Sequence, residues 1–237
     1  MGLHGFGSAA AAFDLVAQRL SGTVALWSAD GFGHRGVPWP ADVVDFNSGV
    51  RALIERIAHV PAPRYLLGYS MGGRLGLAAW AQRPTLFEGA TLIGVHPGLI
   101  TSSERAGRER LDRERALRLQ QLGTADFFRE WDALPLFEGR GSDDFPWRDE
   151  HDASALARAF ELWSLAHQPD LRPTLTDRWR RGIAQLLVGQ RDEKFKRLLA
   201  PWSPQILPGT HDLLTASPDL VARAVRQHRS RLASPER

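Results

Sequence analysis

Ser70 stands between glycines in Gly68-Tyr69-Ser70-Met71-Gly72, after the apolar run Tyr65-Leu66-Leu67 and before the small-residue stretch Gly73 to Ala81. A serine flanked in this way has the form of a sharp strand-to-helix turn that pushes one hydroxyl into a strained, exposed position. The glycines let neighbouring backbone pass close by without a Cβ clash. A serine hydroxyl is a poor nucleophile, and a poorer base, until another group takes its proton. His211 is the candidate for that task, and Asp192 the candidate for fixing the imidazole tautomer and stabilising the imidazolium. The three follow in the order Ser, Asp, His, which differs from the orders of the two other common serine triads. Each also has a plainer reading. Ser70 could be a small residue in a tight turn, His211 a loop histidine, and Asp192 the N-cap of a helix over Glu193–Leu199.

The chemistry needs further parts. Two backbone N–H groups should hold a developing oxyanion: Met71, directly after the serine, and Phe6, directly after His4-Gly5. Such donors stabilise a tetrahedral intermediate or an enolate equally well, so they do not select one reaction. Arg74 lies four residues after Ser70, one turn into the predicted helix, and its side chain can return to the same face. An arginine there suits an anionic substrate, although a helix-surface role is the bland alternative. His96, before Pro97 at a strand end, is a candidate pocket residue, while His34 and His59 read as loop or surface histidines.

Short apolar runs that alternate with helical patterns must position these groups, and that alternation predicts a mostly parallel sheet covered by helices. Strands are expected at Thr23–Ser28, Arg64–Gly68, Ala90–Val95, Ile183–Val188 and Gln205–Leu207, and helices at Ala9–Leu20, Asp42–Ala58, Met71–Gln82, Glu193–Leu199 and Pro218–Leu232. Asp42 is a candidate helix cap. Asp192 and His211 then emerge at the carboxyl edge of the sheet, where ligands bind in open α/β folds. Residues 98–178 break the alternation with helical patterns and no clear strand, so they read as a helical cap inserted into a core of residues 1–97 and 179–237. Within that cap, Glu138–Glu150 is rich in Gly, Asp and Pro and reads as a loop. The chain opens on His4-Gly5-Phe6, a stretch that normally follows a central strand with further strands before it. Those N-terminal strands are missing, and a start codon assigned too late is the favoured explanation over a shortened sheet edge.

The whole chain narrows the classes. Its 237 residues suit one large α/β domain, with or without a cap. There is no cysteine, which excludes disulfides and thiolate metal sites, and no run long enough to span a membrane. No secretory signal is visible, and a cytoplasmic location is expected. The formal charge is +3, with nearly all the base arginine; Lys194 and Lys196 are the only lysines. Acidic and basic residues alternate through 104–118 as on a solvated helix face. No basic stripe is interleaved with aromatics, so nucleic-acid binding is not expected.

Several separate stretches resemble the 2-succinyl-6-hydroxy-2,4-cyclohexadiene-1-carboxylate synthase family of menaquinone biosynthesis, lyases of the α/β-hydrolase fold. They are His4-Gly5-Phe6, Gly68 to Arg74, His96-Pro97-Gly98-Leu99 with the arginine-rich helix after it, Ser164 to Leu171, and Gly189 to Phe195. The resemblance implies Ser70, Asp192 and His211 as the triad and Arg74 and Arg108 as partners for substrate carboxylates. Arg105 and Arg110 compete with Arg108 for that role. It also implies Tyr69 as a substrate contact and Trp131 as a pocket wall. The implied reaction eliminates pyruvate from a succinyl enolpyruvyl cyclohexene carboxylate, with a small polycarboxylate as partner, no metal and no cofactor, in a monomer or weak homo-oligomer. Departures from the family pattern include Asp30-Gly31-Phe32-Gly33-His34-Arg35, Asp132 where tyrosine is common, and Thr210 before the histidine. Two other classes stay open: a serine hydrolase acting on an ester or carbon–carbon bond of an acidic substrate, and a non-catalytic binding member of the fold.

Overall fold

Five short parallel strands lie side by side in chain order in the computed structural model, which describes residues 1–137 and 145–234. They are β1 (Gly2–Leu3), β2 (Tyr65–Tyr69), β3 (Gly89–Ile93), β4 (Ala184–Gly189) and β5 (Gln205–Leu207). The helices are α1 (Asp14–Leu20), α2 (Phe46–Ala58), α3 (Ser70–Gln82), α4 (Ser102–Asp132), α5 (Ala153–Leu162), α6 (Arg172–Arg180), α7 (Glu193–Leu199), α8 (Leu213–Ala216) and α9 (Pro218–Ala233).

Side chains alternate across the sheet, as a strand's period of two requires, and both faces are apolar because both are covered. Leu66, Leu92, Leu186 and Val188 join one buried cluster with α2, α3, α6 and α7. Tyr65, Leu67, Ile93 and Leu187 join the opposite cluster with α1, α8 and α9. A third cluster, built on Ala116, Leu119, Phe127, Phe128, Leu156 and Phe160, packs α4 against α5. α6, counted with the inserted stretch in the sequence, packs its Leu175 into the first cluster, on the sheet.

The strand expected at Thr23–Ser28 does not form a ladder. Only Ser28 bridges to Gly2, with Gly2 N–H donating to the Trp27 carbonyl at 2.6 Å. β1 is two residues long and offers too short an edge for more. β1 itself was not anticipated. The expected helix at Ala9–Leu20 begins with a 3₁₀ turn at Ala10–Phe13, and α2 is capped by Asp45, not Asp42. Asp45 accepts the Ser48 N–H at 2.7 Å while the Ser48 hydroxyl serves the Asp45 N–H, a reciprocal cap. Of the loop expected over Glu138–Glu150, residues 138–144 lie outside the described residues and Pro146–Glu150 forms a 3₁₀ turn. Among the described residues no helix is long and apolar enough to cross a membrane.

Candidate active site

β2 ends at Tyr69 in extended conformation, and α3 begins at Ser70 with φ of 50°. A positive φ on a residue with a Cβ is strained and persists only where the surroundings over-determine it. Here the constraint is close packing: a Cβ on Gly72 would collide with the Leu3 and His4 carbonyl groups, so β1 can lie against α3 only over glycine. The turn presents Ser70 Oγ to His211 Nε2 at 3.0 Å, and His211 Nδ1 meets Asp192 Oδ2 at 2.7 Å. Because the carboxylate accepts, the imidazole carries its proton on Nδ1 and offers the Nε2 lone pair to the serine hydroxyl. Asp192 and His211 are 3% and 1% exposed. The plain reading of Asp192 is also true: its Oδ1 accepts the Phe195 N–H at 3.1 Å, capping α7 and holding the carboxylate in place. The Phe195 ring, with its centroid 4.6 Å from that of His211, packs on the imidazole. Such an arrangement can generate an alkoxide as nucleophile or as base.

The loop after β1 runs directly over this turn. A Cβ on Gly5 would lie 3.4 Å from the Ser70 Cβ and 3.0 Å from the Tyr69 ring. Phe6 and Met71 line the same cavity as Ser70 and His211. Met71 is the second residue of α3, where helix geometry leaves backbone N–H groups without an intrahelical acceptor.

The cavity spans roughly 810 Å³ with the open solvent at its mouth included. Among the described residues four cations line it, Arg74, Arg108, Arg115 and Lys194, against one carboxylate, Asp112. Arg74 is only 7% exposed and donates to Gln168 Oε1 at 3.2 Å and to the Trp163 carbonyl. Burial first, and then the Arg108 charge, push its guanidinium down to about 9, still protonated at neutral pH. Asp112 accepts from Arg108 Nε at 2.7 Å, from Arg115 at 3.4 Å and from the Ser164 hydroxyl at 2.7 Å, so it aims both arginines. Lys194, at the solvent-accessible rim, is lowered by partial burial and then by Arg108 and Arg115. His96 is driven down to about 3, chiefly by burial and then by Lys194 and Arg74, and stays a neutral imidazole. Trp131 forms a wall, with Arg115 over its ring at 5.1 Å.

The structure brings Ser70, Asp192, His211, Phe6, Met71 and Arg74 together, and with them Arg108 and Trp131, which only the family resemblance had implied. Arg108 is separated from its competitors: Arg105 is bound to the carbonyls of Leu99, Ala166 and Gln168, and Arg110 is exposed. Tyr69 does not line the cavity; its ring is 3% exposed behind His211, because the residue before the elbow still belongs to β2 and faces the opposite side of the sheet. His34 is fully buried, not a surface histidine. Asp132 pairs with Arg148, at 2.9 Å for one of its oxygens, and so does not bring a free acid to the site. Asp112, Arg115 and Lys194 were missed. The spacing of Arg108, Asp112 and Arg115 on one helix face was the available signal, hidden inside the charge alternation read as solvated.

The fold and site place the chain among proteins matched by the family described as "Alpha/beta hydrolase family", over residues 3–224. It is 32% identical over 204 residues, 84% of this chain and 79% of the relative, to a 2-succinyl-6-hydroxy-2,4-cyclohexadiene-1-carboxylate synthase of Shigella flexneri serotype 5b (strain 8401). A protein of the same name from Escherichia coli O1:K1 / APEC is 36% identical over 140 residues, 57% of this chain; that alignment spans just over half, 55%, of the relative's length. The structure of MenH from S. aureus superposes with a TM-score of 0.82 at 20% identity, covering 98% of this chain and 93% of that one, a likeness of fold. The chain belongs to the alpha/beta hydrolase family and, within it, to the family of these synthases.

Proposed function

We propose that the protein is a 2-succinyl-6-hydroxy-2,4-cyclohexadiene-1-carboxylate synthase, a carbon–oxygen lyase of menaquinone biosynthesis. It eliminates pyruvate from 2-succinyl-5-enolpyruvyl-6-hydroxy-3-cyclohexene-1-carboxylate. The observation that carries the reading is that Ser70 and His211, the latter bonded to Asp192 behind it, share one cavity with four cations among the described residues. Generic ester hydrolysis has no use for that charge, whereas a substrate with several carboxylates needs it.

In this reading His211 takes the Ser70 proton as the serine oxygen removes the proton α to the succinyl ketone. The electron pair of the broken C–H bond moves onto the ketone oxygen as an enolate, held by the Phe6 and Met71 N–H groups. Collapse of the enolate forms the C2=C3 double bond, shifts the ring's existing double bond from C3=C4 to C4=C5 and breaks the bond from C5 to the enolpyruvyl oxygen. The released pyruvate enolate takes the proton held by His211 and becomes pyruvate, while Ser70 keeps the proton taken from the substrate, so that both residues return to their starting state. Arg74, Arg108, Arg115 and Lys194 bind substrate carboxylates, Trp131 forms the ring-facing wall, and residues 98–178 act as a cap. No acyl-enzyme forms and no metal or organic cofactor is used. The protein works in the cytoplasm as a monomer or weak homo-oligomer.

A serine hydrolase of an acidic ester would use the same triad, so the test must separate the two. Supplied with the enolpyruvyl substrate by an upstream enzyme, the protein should release pyruvate, and Ser70→Ala should lower turnover by about three orders of magnitude or more while the fold persists. Rapid hydrolysis of p-nitrophenyl acetate with no pyruvate from the enolpyruvyl substrate would reject the lyase in favour of the hydrolase.

A further inference from the structure

Two loops meet beneath the candidate oxyanion site, and two histidines lace them together in opposite directions. His4, at the end of β1, donates from Nδ1 to the Gly5 carbonyl at 2.8 Å and accepts at Nε2 the N–H of Gly31 from the second loop, also at 2.8 Å. His34, in that second loop, donates from Nδ1 to the Phe32 carbonyl at 3.0 Å and accepts at Nε2 the N–H of Gly7 from the first, at 3.2 Å. Backbone carbonyls only accept and backbone N–H groups only donate. Each ring is thereby fixed as the neutral tautomer with its proton on Nδ1. The two rings meet edge to face, 4.9 Å between centroids.

A third imidazole ties this pair to the inserted helices. His151, after the 3₁₀ turn Pro146–Glu150, lies 5.4 Å from His34 and accepts the Arg35 N–H at 3.0 Å. Its Nε2 is buried beside the Gly7 backbone without a hydrogen bond of ordinary length. Phe6, between the two laced glycines of the first loop, reaches across to Phe160 and Trp131, with ring centroids 4.2 and 5.3 Å away.

We infer that His34 and His4 are positioning residues: their reciprocal bonds hold the Gly5–Gly7 loop, and with it the Phe6 N–H, in place only while both rings are neutral. The inference rests on the reading of Phe6 N–H as an oxyanion donor. A proton on either Nε2 would face an N–H donor and break the bond that crosses between the loops. Asp30 favours a proton on His4 and on His151, Arg35 opposes it on both, and burial outweighs each. Asp30 is occupied by the Ala10 N–H and by Arg35, and Arg35 also pairs with Glu150. Arg56 donates to the Asp30 carbonyl and adds positive charge near His4. Burial is the largest influence on all three rings. It lowers His4, holds His34 well below the usual imidazole range with help from His4 and His151, and brings His151 to about 4. The lacing therefore survives mild acid and fails when the first ring takes a proton.

The direct test is nitrogen-detected NMR of ¹⁵N-histidine-labelled protein, read together with amide exchange. Both rings should be neutral with the proton on Nδ1 at pH 7, and the Gly7 and Gly31 amides should lose protection together on acidification. In pyruvate release, His34→Ala should lower kcat by about tenfold to hundredfold with KM nearly unchanged, as for a small misplacement of a catalytic donor. His34→Gln, whose side-chain oxygen can accept the Gly7 N–H without titrating, should recover most of that loss and move the acid limb of the kcat profile to lower pH. A charged ring or an Nε2–H tautomer of His34 at neutral pH overturns the inference, as does a folded His34→Ala enzyme with unaltered kcat. The NMR result stands whether or not the protein makes pyruvate, so failure of the lacing and failure of the lyase reading are distinguishable.

Discussion

Arg74 carries architecture and, in the proposed function, recognition as well. Its fork is held by Gln168 and by the Trp163 carbonyl, which spends two donors on fixing direction and leaves the buried charge aimed at the cavity. Lysine would keep the charge and lose the fork. Arg74→Lys is expected to raise KM for the acidic substrate by about tenfold to hundredfold, the worth of a charge-assisted hydrogen bond. A smaller effect should appear on any neutral ester, and steady-state kinetics on the two substrates checks this. At this scale the sequence is most readable where a motif is local. Ser70 and its glycines announce themselves because the strain of the turn must be satisfied within five residues. Asp112 does not, because its role is defined by Arg108, Arg115 and Ser164, the last far along the chain. Tyr69 misleads for the opposite reason: adjacency to the serine along the chain becomes opposition across the sheet.

α4 is where one element carries two duties. It breaks at Gly123, whose φ of 74° and ψ of 176° are open essentially to glycine alone. The break folds the limb bearing Trp131 back toward the limb bearing Arg108 and Arg115, and Arg118 fastens the two to each other through Glu130 at 2.5 Å. A Cβ at Gly123 would meet no neighbour, so Gly123→Ala tests backbone strain without a clash. It should destabilise the protein by about 1–3 kcal/mol and raise KM by displacing Trp131, read from urea unfolding and kinetics side by side. The helices named from the sequence, α1, α2, α3, α7 and α9, were legible because each has apolar residues to bury. The strand at Thr23–Ser28 looked equally good, but a strand needs a partner edge, and its partner is two residues long. The alternation of charge over 104–118 concealed the inward stripe of α4, since a buried arginine and a solvated one are the same letter.

Across the whole molecule, three buried imidazoles, His4, His34 and His151, and the half-buried His96 are kept neutral chiefly by desolvation. Each has a folded pKa below its unfolded value near 6.5. Above that value neither state binds the proton and nothing is lost. As pH falls below it, the unfolded chain binds protons that the native state refuses, so stability declines. The decline continues down to about 4 for His151 and about 3 for His96, where the native rings protonate too. Stability should therefore fall between about pH 6.5 and pH 4.5, by up to about 1.4 kcal/mol per pH unit for each buried neutral ring, measured as the urea midpoint against pH. The sheet's class could be read from alternation along the chain, whereas the histidine cluster could not, because His4, His34 and His151 are brought together by tertiary structure alone.

The strands also lie in the order in which they are synthesised, each beside its predecessor. As the ribosome extrudes the chain, every new strand finds its docking edge already made, and early segments can assemble before late ones exist. The hydroxyl at position 70 must nonetheless wait for the imidazole at 211 and the carboxylate at 192. Under the proposed mechanism the nascent polypeptide thus carries a primed but inert serine through most of translation, and its reactivity switches on only when the fifth strand has docked.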